Sequence, residues 1–327
     1  MPRVVVFDET GAPDVLHIVD EPVGEPAAGE VRIKIEAIGI NRLDELLRAG
    51  TGPRPVRLPH ARLGCEGTGI IDAVGADVEG LGVGDAVIVT ALPTMDINGT
   101  YAEYTVVPAN AVIPRPTGLD AATAAALWVS YSTAYGALIE KARMRPGDHV
   151  LITGASSSAG LAAIQVARQI GAIPLAVTRH SAKKAALSEA GAGAVIATDE
   201  DDLLKAVQQQ AGPAGADIIL DFVMGPGLAE LAEAAAFNGT LVSAGYLDSR
   251  PAPFPMKAPL TMYRYMSFEH TLDPTVVRRI AAFLTAGLRT GALRPAVDRV
   301  FPLDDIVAVH RYMEQGQQRP GKIVVSV

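Results

Sequence analysis

The rhythm of apolar and polar positions changes once along the chain, near residue 120. Upstream, apolar residues come in short runs or at every second position. Val4-Val5-Val6-Phe7 is such a run, and Val31-Arg-Ile-Lys-Ile-Glu-Ala-Ile38 alternates, which predicts a half-buried strand. Gly67 to Val89 sets glycines at 67, 69, 75, 80, 82 and 84 among valines and isoleucines, predicting short strands and tight turns in a small barrel-like domain. Asn98-Gly99 before Thr-Tyr-Ala-Glu-Tyr-Thr-Val-Val predicts a hairpin-type turn into a strand. Downstream, the alanine-rich segment Asp120 to Lys141 is helical in propensity, and strands then alternate with helices. The expected strands are His149–Thr153, Ile173–Thr178, Ala194–Ala197, Asp217–Phe222 and Gly239–Gly245, separated by helices 161–170, 182–190, 201–210 and 228–236. Repeated strand–helix units with short connections predict a doubly wound parallel sheet, hence an α/β protein. After the proline-rich stretch 251–259 come a helix (274–290), a strand (297–301), a helix (303–315) and a last strand (322–327), outside that rhythm and expected to return to the first domain.

Composition narrows the class. The length of 327 residues suits two domains, and 49% apolar with 20% charged residues excludes a disordered or fibrous chain. No stretch reaches the ~18 consecutive apolar residues of a membrane helix, and the start Met1-Pro-Arg-Val-Val-Val-Phe-Asp-Glu does not read as a signal peptide. The lone Cys65 forbids an internal disulfide and fits a reducing cytoplasm. A net charge of −8 opposes a broad nucleic-acid or anionic membrane surface but permits a local basic pocket.

The most informative stretch is Val150-Leu-Ile-Thr-Gly154-Ala-Ser156-Ser157-Ser158-Ala159-Gly160-Leu-Ala-Ala-Ile-Gln165, where a strand runs through a small-residue turn into a helix. Backbone N–H groups at a helix start form an anion site, and small residues let a pyrophosphate approach. Serines stand where glycines are usual; their hydroxyls can bond phosphate oxygens. A plain strand–helix turn is the alternative reading, and the place of the loop inside a βαβ unit favours a dinucleotide. No acid occurs between Gly160 and Glu189 to hold an NAD ribose. The second strand ends instead in Thr178-Arg179-His180-Ser181-Ala182-Lys183-Lys184, where Arg179, Ser181 and Lys183 suit a 2′-phosphate. NADPH is therefore the expected cofactor.

The segments Ala37-Ile-Gly-Ile-Asn41-Arg42-Leu-Asp44, Leu63-Gly-Cys65-Glu66-Gly67, Val74-Gly75, Val83-Gly84-Asp85-Ala-Val87, Trp128 to Tyr135, the loop 154–160, Asn238 to Gly245 and Gly321-Lys322-Ile-Val together resemble the medium-chain dehydrogenase/reductase superfamily. The likeness spans nearly the whole chain and is to its zinc-free, quinone-oxidoreductase-like branch. It implies a GroES-like β-rich catalytic domain from residues 1–122 and 271–327, a Rossmann dinucleotide-binding domain at 123–270, and an active site in the cleft between them. It also implies a homodimer or tetramer joined at the Rossmann sheet edge, around Tyr265 to Thr271. At the positions of two zinc ligands of the alcohol dehydrogenases this chain has Asn41 and Cys65, and the four-cysteine lobe is missing, so no metal site is expected.

Without a Lewis acid, the natural chemistry is hydride transfer to a quinone or an α,β-unsaturated carbonyl, whose developing anion needs hydrogen-bond donors. Asn41 is the leading donor by resemblance, with a helix cap or turn residue as its other reading. Asp44 is expected to orient neighbours and cap a helix 45–48. Arg42 matches a pyrophosphate contact; Thr133, Gly245 and Tyr246 match the nicotinamide side, and Lys322 the cleft near the cofactor. Relatives carry tyrosines where this chain has Thr51-Gly52 and Cys65, so the proton comes from Tyr131, Tyr101, Tyr246 or solvent. The six histidines show no metal spacing and no Gly-x-Ser-x-Gly elbow exists, leaving hydrolysis unsupported. Two other functions stay open: an enoyl-thioester reductase using Arg54, Arg57 and Arg62 for a carrier phosphate, and a non-catalytic NADPH-binding sensor or structural protein.

Overall fold

The computed structural model describes residues 1–256, 259–316 and 319–327. The chain forms two compact units, residues 1–129 with 295–327, and residues 130–294. The first is β-rich. Its seven-stranded sheet runs Val297–Pro302, Lys322–Ser326, Glu30–Gly39, Gly67–Val74, Ala86–Val89, Val112–Pro114, with Tyr104–Pro108 also paired to Glu30–Gly39. The strand Glu30–Gly39 organises it: the predicted alternation buries Val31, Ile33 and Ile35. Its first half pairs with Tyr104–Pro108 and its end with the returning strand Lys322–Ser326, through Val324 opposite Gly39 and Val325 opposite Ile38. That pairing seats Lys322 beside the residues that follow Gly39.

The second unit holds a six-stranded, wholly parallel sheet in the order Ala194–Ala197, Ile173–Thr178, His149–Ile152, Ala216–Asp221, Ala235–Ser243, Thr261–Arg264. Numbered along the chain this is 3-2-1-4-5-6, the doubly wound order of the Rossmann fold, with its reversal between the first and fourth strands. Leu151, Leu175, Ile219 and Leu241 from four successive strands pack with Leu203, Val207, Leu228 and Leu231. Strands buried on both faces read as continuous apolar runs, which is why this sheet was visible in the sequence.

Three expectations are corrected. Asn98-Gly99 does not form a hairpin: Asn98 ends a short helix, Met95–Asn98, and Gly99 is extended (φ −61°). Glycine is needed there for a close approach, since a Cβ would lie 2.0 Å from the Leu63 carbonyl oxygen. The helix 274–290 belongs to the second unit, so the expected boundary at 270/271 falls at 294/295, and that at 122/123 falls at 129/130. Gln169 Nε2 donates to the Phe283 carbonyl (3.3 Å), and the Phe283 ring stacks edgewise on Tyr135, which ties this helix to its unit. The helix expected at 45–48 begins a turn earlier, at Arg42. Among the described residues no helix is long and apolar enough to cross a membrane.

Candidate active site and nucleotide site

In the first unit the chemistry gathers where the strand Glu30–Gly39 gives way to the helix Arg42–Arg48. A Cβ on Gly39 would sit 2.1 Å from the Ala125 carbonyl oxygen and 2.6 Å from Glu66 Oε2, so only glycine lets the Glu66 carboxylate come in. Ile40 N–H donates to the Ile323 carbonyl (3.0 Å), locking the returning strand alongside. Lys322 Nζ then donates to Asn41 Oδ1 (2.6 Å) and Glu66 Oε2 (2.6 Å). Glu66 Oε1 accepts from Val129 N–H (2.7 Å). Because an ammonium only donates, Asn41 must turn its oxygen to Lys322 and its Nδ2 to the Gly39 carbonyl (3.0 Å) and Glu66 (3.2 Å). Glu66 and Lys322 are at most 1% exposed and Asn41 is 9% exposed.

This arrangement changes the expected division of labour. Asn41, the expected donor, has an acceptor for each of its amide hydrogens. Lys322 has three N–H bonds and two partners among the described residues, leaving one proton of a buried cation unassigned. Glu66 had no assigned role in the sequence reading; its signal was the carboxylate between Cys65 and the glycines of the following strand.

Asp44 is the third residue of the helix rather than a cap before it. Its Oδ2 accepts from Asn41 N–H (2.8 Å), fixing the start of the helix that carries Arg42. Burial is complete and pushes its carboxyl up to about 7. Nearby, Tyr101 and His310 are fully buried, with the hydroxyl 3.2 Å from Nε2. Burial, then the Arg48 charge, drives His310 down to about 3. Burial raises the Cys65 thiol well above its usual range, with Asp44 and Glu66 adding to the effect, so it stays protonated filler. Arg42 is paired to Glu45 on its own helix. Arg54 and Arg57 both bind the buried Asp96 (3.0 and 3.2 Å), and Arg62 binds Glu21 (2.6 Å). These arginines tie their loop to Asp96 and Glu21 elsewhere in the unit, which counts against a carrier-phosphate site there. Among the described residues no cluster of three or more His, Cys, Asp or Glu side chains could hold a metal.

In the second unit the strand His149–Ile152 leads into the small-residue loop. Gly154 has φ +55°, and a Cβ on Gly160 would lie 2.5 Å from the Gly154 carbonyl oxygen, so both glycines are required. Ser157 caps the helix Ser158–Ile170, its Oγ accepting from Gly160 N–H (3.0 Å). Ser156, Ser158 and Ala159 are half-buried in the same turn. Lys183 Nζ donates to Ser156 Oγ (3.2 Å), joining the loop to the end of the second strand. Thr178 closes that strand, buried, and Arg179 is exposed beside it. Burial, then the neighbouring Arg179 charge, lowers the Lys183 pKa. Among the described residues neither cation has a carboxylate partner. Ser181 differs: its N–H and Oγ point to Asp199 (3.0 and 3.3 Å), in the turn after the third strand. Asp199 follows the third strand, outside the stretch after the second strand where a ribose-binding acid is expected.

The remaining expected residues are dispersed in this unit. Thr133 is half-buried on the helix Trp128–Tyr135. Gly245 follows the fifth strand, where a Cβ would meet the Phe222 carbonyl oxygen at 2.5 Å. Arg264 stacks on the ring of Tyr246 (4.9 Å), whose hydroxyl is buried with no partner among the described residues. Tyr131 is 2% exposed and donates to Gln165 Oε1 (2.7 Å), which also accepts Arg294 N–H (2.7 Å). Burial pushes its hydroxyl beyond the usual phenol range, and its hydrogen bond to Gln165 braces the helix.

Residues 27–117 match the model of the alcohol dehydrogenase GroES-like domain, and residues 190–325 that of the zinc-binding dehydrogenases. The chain is 30% identical over 330 residues to a quinone oxidoreductase of Lama guanicoe, covering 99% of this chain and 97% of the relative. It is 27% identical over 340 residues to a 2-haloacrylate reductase of a Burkholderia species, covering 99% of each. Among solved structures, a mycobacterial protein complexed with NADPH superposes with a TM-score of 0.89 at 28% identity, covering 100% of both chains.

Proposed function

Because this chain belongs to the zinc-independent, quinone-oxidoreductase-like family of the medium-chain dehydrogenase/reductase superfamily and is an NADPH-dependent oxidoreductase, we propose that it reduces a quinone or an activated C=C bond without a metal. The carrying observation is the buried Lys322–Asn41–Glu66 cluster, a fixed cation at the residues matching the family's catalytic segment. Bound NADPH supplies a hydride from its nicotinamide. Ser156, Ser157, Ser158 and Ala159 would hold the pyrophosphate, Thr178, Arg179, Ser181 and Lys183 the 2′-phosphate, and Thr133, Gly245 and Tyr246 the nicotinamide. The glycine-lined turn fits that group, as do Arg179 and Lys183, neither of which is paired with a carboxylate among the described residues.

When negative charge develops on the acceptor oxygen, a preorganised donor in a dry site stabilises it without reorganisation. Lys322 is that donor, through the proton its two partners leave unassigned. Asn41 and Glu66 aim the ammonium, and Asp44 holds Asn41 in place from behind. The product takes its proton from Tyr246 or from solvent, since the Tyr131 hydroxyl is held by Gln165 and Tyr101 lies against His310. We further propose that the protein works in the cytoplasm as a homodimer or tetramer joined at the edge of the parallel sheet, around Tyr265 to Thr271. Among the described residues the edge strand Thr261–Arg264 before it is paired on one side only, and Tyr263 and Met266 lie exposed there.

The test is NADPH oxidation against a panel of quinones, enones and enoyl thioesters. Turnover with quinones or enones is expected. Turnover confined to enoyl thioesters would overturn the substrate class, and tight NADPH binding with no oxidation by any acceptor would overturn the enzyme.

A further inference from the structure

We propose that Asp199 is a specificity-determining residue, a resident carboxylate that competes with the 2′-phosphate of NADPH for Ser181. This rests on the assignment of Arg179, Ser181 and Lys183 to that phosphate. Ser181 lies between the two cations in sequence, and a group held by both would reach its N–H and hydroxyl. In this structure those donors are already taken. The Ser181 N–H is shared between both oxygens of Asp199 at 3.0 Å each, and Oγ lies 3.3 Å from Oδ2. The carboxylate thus fills the role on Ser181 that a phosphate oxygen would take.

The neighbourhood leaves Asp199 little else to answer to. His180 Nδ1 is 4.0 Å away and 63% exposed, a loose contact. The next acids, Glu200 and Asp201, are both engaged by Lys184 (2.9 and 3.2 Å). Arg179 and Lys183 form no salt bridge among the described residues, so Asp199 does not neutralise them. An acid that served NADH would sit at the end of the second strand and bond the ribose hydroxyls. Asp199 lies in the turn after the third strand, Ala194–Ala197, and spends both oxygens on Ser181.

The consequence is a built-in brake on cofactor discrimination. NADPH must displace Asp199 from Ser181 and bring a phosphate up to a like charge, whereas NADH brings none. Arg179 and Lys183 still favour NADPH, but by less than they would alone.

Asp199→Asn keeps an oxygen for the Ser181 N–H and removes the charge. The variant is expected to bind NADPH about tenfold more tightly, a change of ~1.4 kcal/mol, with NADH affinity within about twofold of the parent. Asp199→Ser serves as a second variant, and thermal melting without cofactor confirms that both fold. Both affinities are measured by fluorescence titration for parent and variants. An unchanged NADPH affinity in folded variants, in a parent that prefers NADPH, would overturn the role of Asp199. A change confined to NADH would do so too, by making Asp199 a ribose-hydroxyl acceptor. A parent with no preference for NADPH, together with an Arg179→Ala variant that binds both cofactors like the parent, would show instead that the phosphate assignment itself fails.

Discussion

Replacing Lys322 by methionine keeps an unbranched stem out to Cε and removes the ammonium from a site where the lysine is 1% and Glu66 0% exposed. Glu66 Oε2 is left with the 3.2 Å contact to Asn41, and Asn41 Oδ1 with no donor. Breaking a buried pair by removing one partner costs ~3–5 kcal/mol, far more than a surface pair would. At ~2–4 °C per kcal/mol for a unit of this size, melting of the first unit should fall by about 6–20 °C. The double variant Lys322→Met/Glu66→Gln removes both charges and keeps an acceptor for Val129 N–H. It should recover more than about 2 kcal/mol relative to the sum of the single losses, the coupling expected of contacting residues. Melting followed by circular dichroism gives the four stabilities, and NADPH oxidation in each variant gives turnover. Turnover should stay low in the double variant even though stability returns, because the donor is gone. A single-variant loss below about 1 kcal/mol, or strict additivity in the cycle, would refute the buried pair.

Four further outcomes are expected. Arg179→Ala with Lys183→Ala should weaken NADPH by ~30-fold or more and NADH by under ~3-fold, since charge-assisted contacts to the 2′-phosphate are what is lost; equal losses would count against the assignment. The Asp44 carboxyl is held near 7 against an ordinary 3.8, so its contribution is present at low pH and lost as pH rises from about 4 to 7. His310 is held near 3 against 6.5, so its contribution is lost as pH falls through that span; Asp44→Asn should therefore steepen acid destabilisation, by up to ~4 kcal/mol, and an unchanged pH–stability curve would be the contrary result. Tyr131→Phe should cost ~1 kcal/mol of stability with turnover retained, because Gln165 keeps its Arg294 partner; a hundredfold loss of turnover would restore the tyrosine as an acid. Dialysis against a chelator should leave turnover intact, and activity lost and regained with zinc would contradict the metal-free chemistry.

The sequence carried the second unit almost whole, because strands buried on both faces, such as Val150-Leu-Ile152 and Ile218-Ile-Leu220, announce themselves as apolar runs. It also pointed to Arg179 and Lys183, whose spacing and lack of nearby acids are local properties. What it hid is nonlocal. The Glu66–Lys322 pair exists because the strand Lys322–Ser326 returns beside Glu30–Gly39, a register no window of residues contains. Asp199 was missed because it reaches Ser181 across neighbouring parallel strands. Asn98-Gly99 misled because the dipeptide favours a turn while tertiary packing demanded only a residue without a Cβ.

The return of Lys322–Ser326 also sets an order of events during synthesis. Glu66 and Asn41 leave the ribosome long before residue 322 exists, so the nascent first unit carries a carboxylate and an amide whose counter-ion has yet to be made. The second unit is contiguous from 130 to 294 and needs no residue beyond 294 to close its own sheet, whereas the first is incomplete until its returning strand is made.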